Sequence, residues 1–221
     1  MIPENNKDHS SMFILNDELK FPDPGEADED GLLAIGGDLS PPRLLLAYRS
    51  GIFPWFSDGG MIHWFSPPRR FVLFPSSIHI SKSMAQLLRS GEFSITQDKA
   101  FAQVIQTCAN RHRINKGATW IDDSFIKAYT AMHELGYAHS IEVWHDGILA
   151  GGLYGIVSGK IFCGESMFST ISNASKAALI HLCRSCSYEL IDCQVYTPHL
   201  ASMGAVLISR DEFHSLIKNS A

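Results

Sequence analysis

The stretch from His139 to Phe168 holds three apolar runs separated by Asp146-Gly147 and Ser158-Gly159. Two-residue connections of this type need positive φ, which Gly adopts without cost and Asp tolerates, and they join neighbouring antiparallel strands. The spacing therefore predicts a three-stranded meander, and few architectures absorb one with no helix inside it. Asn173 reads as the cap of a helix over 174–187, followed by a buried strand at 190–197, a short helix, a strand at 206–209 and a closing helix. Upstream, helices are expected at 81–89, 98–110 and 122–135, the last stopped by Gly136. Residues 1–68 are richer in Pro, Gly and Asp. They show one good helix, Ser40 to Gly51, with proline at its first position, then aromatic loops in GIFPWF (51–56) and WFSPPRR (64–70). Meander, helix, strand, helix, strand is an α+β order, so the expectation is a small N-terminal domain at 1–68 packed on an α+β domain at 69–221.

Polar side chains interrupt two of the apolar strands. Glu165 sits between Gly164 and Ser166, and Asp192 and Gln194 lie two apart, hence on one face of their strand. Burying an unpaired carboxylate costs several kcal/mol. These three groups are therefore expected to hydrogen-bond one another, either as a structural network or as a site that orients an amine and accepts its proton. Other candidates are weaker. His133 and His139 are six apart with Gly136 between them, a poor metal helix. Cys163 or Cys193 with His199 could pair as nucleophile and base, but nothing marks either thiol as activated. GGLYG (151–155) fits close backbone approach between strands better than a phosphate cradle.

The 221 residues carry a net charge of −5, unevenly spread. Residues 61–120 hold eight basic side chains against two acidic ones, while both flanking segments are acidic. Screening beyond about 8–10 Å lets such a basic segment attract phosphates on an acidic protein, although it also reads as an ordinary solvated face. Five cysteines (Cys108, Cys163, Cys183, Cys186 and Cys193) are odd in number and lack framework spacing. They fit free thiols in a reducing compartment, with Cys183 and Cys186 structural. No signal-peptide pattern or long apolar window is present, and the expected location is cytoplasmic, away from membranes.

Several stretches resemble the leucyl/phenylalanyl-tRNA-protein transferase family. They are GLLAIGGDLS (31–40), GIFPWF (51–56), TWI (119–121), AHSIEVW (138–144), GGLYG (151–155), FCGESMF (162–168), NASK (173–176), DCQ (192–194) and HLASMGA (199–205), in family order. The chain departs where the family commonly has WWSPDPR and this sequence has WFSPPRR (64–70). The resemblance implies a C-terminal domain like the GCN5-related N-acetyltransferases that binds the aminoacyl end of tRNA in place of acyl-coenzyme A.

It further implies transfer of Leu or Phe, and less readily Met, from aminoacyl-tRNA to the N-terminal Lys or Arg of proteins, marking them for N-end rule degradation. No cofactor or metal is implied, and the protein is expected to act as a monomer. Asp192, Gln194 and Glu165 match the catalytic positions. Leu153, Phe162, Met167, Leu179 and Ile191 match the aminoacyl pocket, while Trp55, Trp120 and Tyr48 match the aromatic groups around the terminal adenosine. Arg69, Arg70, Lys82, Arg89, Arg111 and Arg113 become the expected tRNA-phosphate ligands. Two rival classes remain at this point. A coenzyme A-dependent acetyltransferase would want a Gly/Arg-rich pyrophosphate loop that FSTISNASK (168–176) lacks, and a non-catalytic RNA binder would leave the three polar groups without a role.

Overall fold

The computed structural model describes residues 13–58, 60–116, 121–185 and 187–220, with the side chains of 57, 58 and 111–116 outside that description. A four-stranded sheet comes first: β1 (Phe13–Leu15), β2 (Leu32–Gly36), β3 (Phe53–Asp58) and β4 (Met61–Phe65), in the order β1-β2-β4-β3. Helix α1 (Pro41–Arg49) lies between β2 and β3 and starts on Pro41. It stops where Gly51 takes φ 72°. Of the aromatic stretches read as loops, residues 53–56 and 64–65 are therefore in paired strands, and residues 66–68 are a link. Pro54 and the unbroken apolar run hide the period-two signal, and a register irregularity between Pro54 and Phe56 absorbs the proline.

The second sheet has seven strands in the order β11-β5-β10-β9-β8-β7-β6. After β5 (Arg69–Leu73) come α2 (Lys82–Ser90), β6 (Ser94–Gln97), α3 (Phe101–Lys116) and α4 (Asp123–Glu134). The expected meander follows as β7 (Ala138–His145), β8 (Ile148–Ser158) and β9 (Ile161–Ser169). Asp146 and Gly147 both take positive φ, 50° and 76°, at the first turn. Then come α5 (Ala174–Ser185), β10 (Leu190–Gln194), α6 (Pro198–Ser202), β11 (Val206–Ser209) and α7 (Arg210–Ser220). The side chain that caps α5 is Ser169, whose hydroxyl accepts from the Ser175 N–H at 2.8 Å, while Asn173 sits left-handed at φ 69°. Among the described residues no helix is long and apolar enough to cross a membrane.

Strand alternation divides the seven-stranded sheet into two faces. Leu153, Phe162, Phe71 and Ile191 pack with Leu179 and Leu182 of α5. Tyr154, Ile156, Ile161 and Val72 pack with residues of α1, α3 and α4, in one core that also holds Leu33, Phe53 and Trp64 of the four-stranded sheet. All three glycines of GGLYG are required by packing: a Cβ at Gly155 would collide with the Cys163 carbonyl, one at Gly152 with the Ile141 carbonyl, and one at Gly151 with Ala174.

One local defect positions the site. β9 and β10 run parallel, but pairing covers only Leu190–Asp192 against Ile161–Cys163. Beyond that point β9 continues along β8 to Ser169. β10 kinks instead, with Gln194 at φ 62° and a register irregularity between Asp192 and Gln194. A left-handed non-glycine residue is rare and costs of order 1–3 kcal/mol. The sheet therefore splits between Gly164–Met167 and Asp192–Val195.

Candidate active site

A cavity of about 310 Å³ fills the split. Its floor is apolar and includes Leu153, Phe162, Met167, Leu179 and Ile191, together with Leu182 and Leu200. Trp55 and Pro54 reach it from β3. Sequence reasoning missed Leu182 and Leu200; Leu182 lies three residues after Leu179, on the same face of α5, and that spacing was the available signal. Trp120 lies outside the described residues.

Glu165 stands in the wall of this cavity, 8% exposed. The Tyr48 hydroxyl donates to its Oε1 at 2.8 Å, the Tyr129 hydroxyl to its Oε2 at 2.8 Å, and Gln194 Nε2 to Oε1 at 2.8 Å. Burial pushes the Glu165 carboxyl up to about 7, against the three hydrogen bonds that favour its charged form, and the Asp192 charge adds to the rise. Tyr48 is thus a buried partner of Glu165, 2% exposed, with no open ring face for a base to stack on. Tyr129, which sequence reasoning missed, completes the set from α4. Read along its helix it looks like another core residue between Phe125 and Met132.

Asp192 is fully buried and faces Arg70. Arg70 Nε donates to Oδ1 at 2.8 Å and Nη2 to Oδ2 at 2.7 Å, and the Gln194 backbone N–H adds a third bond to Oδ1 at 2.9 Å. Arg70 Nη1 also donates to the Gly51 carbonyl at 3.2 Å, and the guanidinium lies 4.5 Å from the Phe53 ring centre and 4.6 Å from that of Phe213. Arg70, expected on the tRNA surface, is therefore a correction. It is 2% exposed, and its planar fork is already matched to a carboxylate, leaving no face for a phosphate. Arg69, Lys82 and Arg89 are exposed. Arg111 and Arg113 fall on α3, with side chains outside the described residues.

Gln194 links the two carboxylates. Its backbone is fixed by Asp192 and its Nε2 by Glu165, so its side-chain carbonyl oxygen keeps free acceptor capacity at the cavity edge. The thiols of Cys163 and Cys193 are pushed up by burial and by the Asp192 charge, which suits structural rather than nucleophilic cysteine.

Residues 72–218 match the family model described as leucyl/phenylalanyl-tRNA protein transferase, and residues 37–68 match the model of that protein's N-terminal domain. The chain belongs to the leucyl/phenylalanyl-tRNA protein transferase family. Its members are aminoacyltransferases. Proteins named leucyl/phenylalanyl-tRNA–protein transferase are 52% identical over 93% of this chain and 89% of the relative in Syntrophobacter fumaroxidans. The relative of that name in Syntrophus aciditrophicus is 55% identical over 91% and 86%. The one in Flavobacterium johnsoniae is 51% identical over 94% and 100%. Among solved structures the chain is similar to FemX, at 12% identity and a TM-score of 0.49 over 80% of this chain and 71% of that one.

Proposed function

We propose that this chain transfers Leu or Phe, and less readily Met, from aminoacyl-tRNA to the N-terminal Lys or Arg of proteins, marking them for N-end rule degradation. The observation that carries the reading is an apolar cavity with the buried Glu165 carboxyl in its wall and, at its edge, the Gln194 amide oxygen, which has no hydrogen-bond partner among the described residues. An apolar floor accepts a leucyl or phenylalanyl side chain. It rejects charged ones through uncompensated desolvation, and it separates smaller apolar groups weakly, since a missing methylene is worth about 1–3 kcal/mol. Met167 gives part of that floor the adaptability needed for two shapes. Trp55 and Trp120 supply the stacking surface for the terminal adenosine, and the exposed basic side chains with Arg111 and Arg113 meet acceptor-stem phosphates.

The aminoacyl ester is already activated, so the site's task is positioning. The acceptor's neutral α-amine donates a hydrogen bond to the Gln194 carbonyl oxygen and lies beside Glu165, which places its lone pair against the ester carbonyl lodged over the apolar floor. Asp192 acts through Gln194: held by Arg70, it fixes the kink that aims the amide. The chain is read as a cytoplasmic monomer that needs no cofactor. The test mixes the protein with labelled leucyl-tRNA and a peptide beginning with Arg. Leucine on the peptide N-terminus is expected. An unlabelled peptide, with acetyl transfer from acetyl-coenzyme A instead, would sink the reading.

A further inference from the structure

Four oxygens around Glu165 pose a problem of proton number. Tyr48 Oη lies 2.8 Å from Glu165 Oε1, Tyr129 Oη 2.8 Å from Oε2, and the two phenol oxygens 2.7 Å from each other. All three separations are those of O–H···O hydrogen bonds, and each needs a proton between its oxygens. The phenols bring two, and burial beside Glu165 pushes both further from ionising. If Glu165 were a carboxylate, both phenol protons would point at it, and the Tyr48–Tyr129 contact would set lone pair against lone pair in a buried place. A third proton closes the ring, and Glu165 is the group that can carry it. Because Gln194 Nε2 already donates to Oε1, the proton belongs on Oε2. Oε2–H then donates to Tyr129, Tyr129 to Tyr48, and Tyr48 back to Oε1, and every donor has an acceptor.

We propose that Glu165 rests as the neutral acid with its proton on Oε2, and that Tyr48 and Tyr129 are positioning residues that hold it there. Oε1 accepts from Tyr48 and from Gln194 Nε2, so both of its lone pairs are used and the Gln194 amide is fixed by its nitrogen. A neutral Glu165 thus orients Gln194 without setting a second negative charge beside Asp192. The use of that arrangement rests on the aminoacyl-transfer reading, in which the Gln194 carbonyl oxygen receives the α-amine.

The other titratable groups near Glu165 do not supply the missing proton. Asp192 on β10 is occupied by Arg70 of β5. Tyr154 on β8 and Cys108 on α3 are buried groups held up from ionising, Cys108 to about 12, and Cys163 on β9 is likewise raised.

The test needs no substrate. Infrared difference spectra of the full chain against Glu165→Gln should show a protonated-carboxyl C=O band at pH 6, fading as pH rises through about 7. Tyr129→Phe removes the acceptor of the Oε2 proton, so its C=O band should lie at a higher wavenumber than in the wild-type protein, and Tyr48→Phe, which removes the donor to Oε1, should move the band the same way. A carboxylate signature at pH 6 in the wild-type protein, or a C=O band unmoved in Tyr129→Phe, overturns the proposal. The wild-type spectrum decides even where a phenol variant fails to fold. If the bands behave as stated and the transfer assay fails, only the substrate reading falls.

Discussion

Replacing Arg70 by Met keeps most of the stem's packing and removes the charge, so it isolates the Arg70–Asp192 pair. Asp192 is fully buried and accepts two hydrogen bonds from that guanidinium besides the one from the Gln194 backbone N–H. Breaking a buried, hydrogen-bonded ion pair from one side costs about 3–5 kcal/mol, because the remaining carboxylate is left unpaired. For a chain of this size each kcal/mol moves the melting temperature by about 2–4 °C, so a drop of about 10 °C is expected. Thermal unfolding at pH 7 measures it, alongside leucine transfer to an Arg-peptide, which should fall because the Gln194 kink loses its anchor. The double variant Arg70→Met with Asp192→Leu should recover much of the stability, since replacing both partners with apolar groups removes the unpaired charge, yet stay inactive. A single variant that melts within about 2 °C of wild type would mean the pair is worth no more than a surface contact, and the account of Asp192 would be wrong.

The Glu165 carboxyl, raised from 4.5 to about 7, holds its proton in the folded chain where the unfolded chain has lost it. Stability should therefore fall as pH rises from about 4.5 to about 7, by on the order of 3 kcal/mol, and urea titrations of Glu165→Gln should lack that fall. Leu179, 2% exposed at the cavity floor, should become a plug when changed to Trp. Transfer of Leu and Phe should fall together by about tenfold or more while binding of uncharged tRNA holds; normal transfer of both would remove Leu179 from the pocket. Changing Arg111 and Arg113 together to Ala should weaken tRNA binding and reduce the slope of log K against log salt by about two, read by titrations at several salt concentrations.

Legibility in the sequence followed the range of the forces involved. The β7–β8 and β8–β9 turns depend on adjacent residues; Asp146-Gly147 announced the first in place, and the second falls one residue later than Ser158-Gly159, at Gly159-Lys160, because Ser158 still pairs with Ile161. Glu165, Asp192 and Gln194 were visible because a polar or charged group inside an apolar run is costly to bury unpaired wherever the chain folds. Arg70 was misread because nothing beside it marks it as buried; its partners Gly51 and Phe53, Asp192, and Phe213 come from three separate parts of the chain. The same holds for Tyr129. Strand β6, Ser94–Gln97, was missed because it is short and its exposure barely alternates. The hairpin of β3 and β4 was hidden by its aromatic content and Pro54.

The shared core has a bearing on how such a protein can be divided. A cut in the link from Phe65 to Arg69 respects both sheets on paper. It would strip Glu165 of the Tyr48 hydroxyl, and Arg70 of the Gly51 carbonyl and the Phe53 ring. The fragment from Arg69 onward would keep every floor residue of the cavity while losing the environment that sets the charge of its carboxylate. Split-protein reporters, chimeras between relatives and truncations for crystallisation all meet the same constraint. Whatever supplies the first sheet must also supply a tyrosine at the end of α1, at the right depth, or the second half inherits a pocket without its chemistry.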